Sequence, residues 1–261
     1  MVENLSAIGF SVKNRGQFEE RVLETFRRGE PIVVDEGGYF RWRLECGAEL
    51  WAVLTADKSY VGLIPHFDGS SRLSVELVER MPTRGDSPMN VAWRARVASK
   101  PDRPPGATAP EFVFASPDGS RHADLEIPAR VTLQLTAFAR ELSVFRHERY
   151  YTADQLDPIP FVEQLIPTPV ALFESSRQSG AILTGRVVES ARRTNEATGA
   201  RFQWASVKTS VGLIDLVTSL DVVSGELRPG ALVAGTVWLS GRLVRPELPG
   251  PKGFLRRLLG R

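Results

Sequence analysis

One helix is predicted near the start of the chain by apolar residues that recur every four positions. Phe18, Val22 and Phe26 place an apolar stripe on a single helix face. Asn14 precedes this stripe at a position where a side-chain oxygen commonly caps a helix, and Gly29 follows it where a helix commonly ends. The pattern therefore predicts a helix between these two residues.

Alternating apolar and polar residues predict a β-hairpin directly after this helix. Its turn is the sequence Asp-Glu-Gly-Gly at positions 35–38, and β-type runs lie on both sides of it. In the second run Phe40, Trp42 and Leu44 point to one side of the sheet, whereas Tyr39, Arg41 and Arg43 point to the other.

Further alternating runs extend the strand pattern into the middle of the chain. They cover residues 48–54, 73–77, 91–97 and 131–137. Such alternation is typical of strands that bury one face. Residues 1–151 are thus predicted to form an α+β domain, with a mainly antiparallel sheet and at least one helix. Residues 152–180 are rich in proline and apolar residues, and are predicted to be a packed connector.

Residues 181–248 have the most regular strand pattern. The runs cover residues 181–191, 201–209, 212–218 and 231–244. Their order, their spacing and the glycines within them resemble a Greek-key barrel of the OB-fold kind, over roughly 65 residues. The resemblance is one of fold and implies five strands, whereas four runs are evident. Either the last run bends into two strands or another segment of the chain supplies the fifth.

Composition and charge place the chain among ordinary folded proteins. Of its 261 residues, 42% are hydrophobic and 25% are charged, which excludes a disordered chain. The single cysteine, Cys46, excludes an internal disulfide and suits a reducing compartment. No apolar run approaches the roughly 20 residues of a membrane span, and no secretory signal is evident. We expect a cytoplasmic protein, and its preference for arginine over lysine indicates a bacterial source.

The C-terminal strands carry aromatic and basic residues on shared faces. The predicted contact surface consists of Phe202, Trp204, Lys208, Trp238 and Arg242, with Arg192 and Arg193 from the first loop. Aromatic rings beside basic residues are typical of single-strand binding, because bases stack on the rings. The same rings are suited to packing against protein. We therefore expect a non-enzymatic binding protein, and favour a protein partner over single-stranded nucleic acid.

The best candidate for catalytic chemistry is the pair His66 and Asp68. Both project from one face of a predicted strand end, and Glu49 is placed to approach them across a hairpin. A carboxylate beside an imidazole orients it as a general base, so a small-molecule or metal-assisted enzyme is the first alternative function. Common catalytic and nucleotide-binding motifs are absent from the sequence, and we expect no cofactor and no bound metal. The sequence favours a plain turn in which His66 fills the strand end.

The last segment, residues 249–261, is predicted to be a basic amphipathic tail. Its last ten residues hold four basic residues and no acidic one. The residues expected to make contacts are Phe254, Leu255, Arg256, Arg257 and Leu258. Such a pattern suits an anionic membrane surface or an acidic groove on a partner, so recruitment through this tail is the second alternative function.

Overall fold

The computed structural model describes residues 2–82, 89–98, 109–154, 160–168 and 179–244. The predicted tail and parts of the predicted connector lie outside these ranges. Within them the protein is mostly β, rather than an even mixture of helix and sheet. The helical elements are α1 (Val2–Ser6), α2 (Arg15–Arg28), α3 (Glu148–Asp154) and a 3-10 turn at Gly119–His122. Among these described helices, none has the length and apolar character that crossing a membrane requires.

Helix α2 begins and ends where the sequence predicts. The Asn14 side chain accepts a hydrogen bond of 2.9 Å from the backbone N–H of Gln17, which caps the first turn. The N–H of Gly29 donates to the carbonyl of Thr25 and closes the last turn. Val22 is buried against a core cluster that Phe18 also contacts, so the predicted apolar stripe is the buried face of the helix.

The four strands after α2 form an antiparallel sheet in chain order. They are β1 (Glu30–Val34), β2 (Gly37–Arg43), β3 (Ala48–Thr55) and β4 (Tyr60–Phe67). One face carries Leu50 and Ala52, which share a core cluster with α2 and with aromatic rings of the second sheet. The other face carries Glu49 and Trp51 and lies against the second sheet, where both side chains contact Arg242.

The second sheet contains the other ten strands of the described chain. They are β5 (Leu73–Pro82), β6 (Val91–Val97), β7 (Glu111–Ser116), β8 (Ala129–Phe145), β9 (Gln164–Pro167), β10 (Gly180–Thr194), β11 (Arg201–Thr209), β12 (Gly212–Ser219), β13 (Val223–Ser224) and β14 (Leu232–Val244). The centre of this sheet is a long antiparallel ribbon of β8 and β14.

Both strands of the ribbon change partners along their length, and this closes two rings in the described part of the chain. The middle of β8 pairs in parallel with β12, and the first half of β14 pairs with β10. Through β11 these pairings close one ring, in the order β10-β11-β12-β8-β14. The first half of β8 pairs with β5, and the end of β14 contacts β7, so β6 completes a second ring.

Strand β8 joins the two predicted domains. It lies within residues 1–151, yet it pairs with β12, β13 and β14 from the predicted C-terminal barrel. The hydrophobic interior reflects this, because Trp93, Leu133, Leu216 and Val233 belong to one cluster. Strand pairing and core packing therefore both cross the predicted boundary.

The loop from the first sheet into the second is anchored by a buried carboxylate. Asp215 on β12 accepts hydrogen bonds from the backbone N–H groups of Ser70 (3.1 Å) and Ser71 (2.9 Å). It also accepts from Gln134 Nε2 at 3.1 Å and from Trp204 Nε1 at 2.8 Å. Four donors from three separate segments thus converge on one side chain that has no solvent contact.

We expect Gly69→Ala to destabilise the protein by about 1–3 kcal/mol, because the added methyl group overlaps the Asp215 carboxylate. The matched control is Gly62→Ala, where a Cβ meets no atom within 4 Å. Urea unfolding of both variants measures the difference. Equal stability of the two variants would show that this loop does not depend on close contact with Asp215.

Candidate functional site

Three strands of the first sheet place charged side chains in one row. Arg43 on β2 lies opposite Glu49 on β3, and Glu49 lies opposite His66 on β4. Residues that lie opposite each other in adjacent strands share a face of the sheet. Asp68 follows the end of β4, and its Oδ2 lies 3.1 Å from Arg43 Nη2. The three candidate residues Glu49, His66 and Asp68 are therefore neighbours.

Glu49 is the centre of this charged group, although it is only 1% exposed. It accepts hydrogen bonds from Trp51 Nε1 at 2.9 Å and from Arg41 Nε at 3.1 Å. Arg43 Nε and Arg242 Nη1 each lie 3.5 Å from one of its oxygens. Since Arg242 comes from β14, this carboxylate joins guanidinium groups of both sheets.

The ring of Trp51 holds two of these guanidinium groups in place. The Cζ atoms of Arg41 and Arg242 lie 5.2 Å and 5.1 Å from the ring centroid. Such cation–π contacts attract the positive charge to the ring and restrict the side chain. Both arginines are therefore fixed by a carboxylate and an aromatic ring together.

A further carboxylate approaches from the turn after β7. The Asp118 side chain is 2% exposed, and its Oδ2 lies 3.4 Å from Arg121 Nη1 and 3.7 Å from Arg242 Nε. Arg121 belongs to the 3-10 turn that follows, so the turn contributes one charge of each sign. The group thus combines residues from five separate segments of the chain.

His66 lies beside this group but is closed to solvent. Its Nδ1 is 2.9 Å from Ser240 Oγ, and neither residue has any exposed surface. Burial, and then the positive charge of Arg242, lower the pKa of the imidazole to about 3. The ring is therefore neutral at pH 7. Because a substrate cannot reach the serine hydroxyl or the imidazole, the pair does not act as a nucleophile and its base.

The charged group lines a pocket of about 320 Å³, which we call the arginine pocket. Its charged lining residues are Arg41, Arg43, Asp68, Arg72, Asp118, Arg121 and Arg242. Glu49 is buried next to this lining and pairs with Arg41. The five arginines of the pocket therefore exceed its three carboxylates, Asp68, Asp118 and Glu49, by two positive charges. A pocket with this balance attracts an anionic group.

The predicted aromatic surface is largely internal. Phe202 has no exposed surface, and Trp204 and Trp238 are 4% and 8% exposed. All three rings pack between the sheets in one cluster, where Phe202 meets Phe67 and Trp238 meets Phe138. Since stacking on a base requires an open ring face, these rings have a packing role in this structure.

The basic residues predicted to accompany the rings lie in different places. Arg193 lies over the ring of Trp204 at 5.1 Å. Lys208 is exposed and pairs with Glu163 at 3.1 Å, whereas Arg192 lies at the opposite end of the β10–β11 pair. Arg242 belongs to the arginine pocket. The predicted residues therefore do not form one continuous contact surface.

Five charged residues of the arginine pocket were not predicted from the sequence, namely Arg41, Arg43, Arg72, Asp118 and Arg121. A signal was available for Arg41 and Arg43, because alternation places them on the same face of the predicted hairpin. No local pattern marks Asp118 and Arg121, since they reach the site through the pairing of β7 with distant strands.

Within the described ranges, no group of three or more His, Cys, Asp or Glu side chains is arranged to hold a metal ion. Cys46 is buried, and burial raises the pKa of its thiol to about 11.

Comparisons of the chain with protein-family models, curated proteins and solved structures find no match. The function is therefore argued from the site itself.

Proposed function

We propose that this protein is a non-enzymatic binding protein whose arginine pocket takes an anionic group of its ligand. The observation that carries the proposal is the excess of positive charge in the pocket, where five arginines meet three carboxylates. Guanidinium groups bind carboxylates and phosphates through paired hydrogen bonds, and such charge-assisted bonds are stronger than neutral ones.

The different exposure of the arginines supports anion binding in this pocket. Arg43 and Arg121 are 59% and 31% exposed at the entrance, whereas Arg41 and Arg242 are 12% and 17% exposed below them. An entering anion therefore meets the more exposed arginines first. The deeper pair is fixed by Glu49, Asp118 and Trp51, so its guanidinium groups need no rearrangement on binding. Since these two carboxylates balance the deeper pair, the excess positive charge comes from the arginines nearer the entrance.

The energetic cost of the charged group also supports a binding role. Buried ion pairs are often no more stabilising than apolar side chains of the same volume, because both charges lose their hydration. Glu49 and Asp118 are almost completely buried, and their partners Arg41 and Arg242 are mostly buried. A role in recognition accounts for a charged arrangement that fold stability does not require.

A catalytic role has weaker support. The site proposed from His66, Asp68 and Glu49 is adjacent to the arginine pocket, but the imidazole is sealed and neutral. Nucleic-acid binding through the aromatic rings is likewise weakened by their burial. Recruitment through residues 249–261 stays a prediction, because these residues lie outside the described ranges.

We also propose that the ring β10-β11-β12-β8-β14 is an OB-like barrel with an unusual order along the chain. Four of its strands are the runs from which the resemblance was inferred. Strand β8 would be the fifth strand, and it precedes the other four in sequence. Its parallel pairing with β12 and antiparallel pairing with β14 support a Greek-key barrel.

The proposal predicts that Arg43→Ala weakens the binding of inorganic phosphate at least about tenfold, because it removes a charge-assisted hydrogen bond. The measurement is an NMR titration of arginine Nε–H signals at pH 7 and low salt. The matched control is Arg192→Ala, since Arg192 is 65% exposed and makes an ion pair outside the pocket. A titration without saturable shifts, or equal weakening in both variants, would contradict the proposal.

A further inference from the structure

A second, larger groove adjoins the arginine pocket. This groove has a volume of about 710 Å³, and we call it the side groove. The two cavities share the lining residues Arg121, His122, Leu243 and Val244, so they lie side by side. The side groove is therefore the nearest space for the rest of a ligand whose anionic group is held in the arginine pocket.

The side groove differs from the arginine pocket in its chemistry. Its apolar lining residues are Leu125, Val131, Leu243 and Val244. Leu125 and Val131 are half-buried and pack against the main hydrophobic cluster, so the surface they leave open forms part of a fixed wall. The rest of the lining is polar, and consists of Ser74 and Thr132 together with Arg121, His122, Asp124 and Arg130. The adjoining cavities thus combine an anion site with an apolar surface.

We propose that the ligand is a small amphiphilic anion, with its charged head in the arginine pocket and its apolar chain in the side groove. This assignment rests on the proposed function, because the head group is the anion that the arginines bind. It goes further by assigning the apolar part of the ligand and its location. Small-molecule sites commonly combine an apolar wall with a few convergent polar groups, and the two volumes fall within the usual range.

Straight-chain carboxylates test this assignment, because they share one head group and differ only in chain length. We expect affinity to rise from acetate through hexanoate to decanoate by about twofold per methylene, since burial in an open groove is partial. Isothermal titration and NMR measure the affinities at pH 7. Arg43→Ala is expected to weaken all three carboxylates by a similar factor.

The apolar wall is tested by Leu125→Ser, which should flatten the dependence on chain length while leaving acetate binding unchanged. The matched control is Leu220→Ser, because Leu220 is 45% exposed and does not line the side groove. A nitroxide-labelled acyl carboxylate provides a second measurement on the unmodified protein. It is expected to broaden the NMR signals of Leu125 and Val131.

The outcomes separate this inference from the proposed function. Carboxylate binding that is independent of chain length would overturn the amphiphile and retain the anion site. Decanoate binding that resists Arg43→Ala, or broadening elsewhere on the protein, would also overturn it. Failure of acetate, decanoate and phosphate to bind would overturn both proposals.

Discussion

Replacing Asp215 by alanine is expected to lower the free energy of unfolding by about 3–5 kcal/mol. The carboxylate has no solvent contact and accepts four hydrogen bonds, from Ser70, Ser71, Gln134 and Trp204. Alanine leaves all four donors buried without this acceptor. The loss is large because each orphaned donor has already given up its hydration.

Urea unfolding measures this loss, with Asp221→Ala as the control at an exposed aspartate. Trp204→Phe removes one donor and keeps an aromatic ring, so it should cost only about 1–2 kcal/mol. In the Asp215→Ala background, Gly69→Ala should lose most of its own effect, because the overlapping carboxylate is gone. A cost below about 1 kcal/mol for Asp215→Ala would refute the anchoring role.

Acid is expected to destabilise the protein through His66. Its pKa is lowered from 6.5 to about 3 in the folded state, so the unfolded chain binds more protons between these values. The neutral His66 therefore costs no stability above about pH 6.5. Below about pH 6 the free energy of unfolding falls by about 1.4 kcal/mol per pH unit because of this residue. By pH 3 the loss from this residue reaches about 4 kcal/mol.

Unfolding free energies between pH 7 and pH 5 test the role of His66, because few carboxylates titrate in that range. His66→Asn removes the titrating ring, and it should flatten the pH profile even though its stability at pH 7 is lower. His147→Gln, at an exposed histidine, is the control and should keep the wild-type slope. A wild-type slope in His66→Asn would assign the acid sensitivity to other groups.

Some features of the fold could be predicted from the sequence because they depend on neighbours within one element. The cap at Asn14 and the stop at Gly29 act within a single helix. Alternation likewise separates the two faces of β14, so that Val233 and Val237 face the main core and Trp238 faces the other sheet. Both patterns arise from the backbone geometry of a helix or a strand.

Strand pairing could not be predicted in the same way. Alternation in residues 131–137 indicates a strand, but it does not say which strands lie beside it. In the structure β8 pairs with β5, which precedes it, and with β12 and β14, which follow it much later. The place of β8 in the ring was therefore found only in the tertiary structure.

The candidate site likewise combines features that follow from single strands with features that depend on strand pairing. Alternation along the strands is enough to group Glu49, His66 and Asp68 near one strand end and to place Arg41 and Arg43 on one face. Arg242 joins them only in the folded protein, because β14 must first pair with β8. Burial of the aromatic rings was also decided there, since a strand pattern defines two faces but not what covers each one.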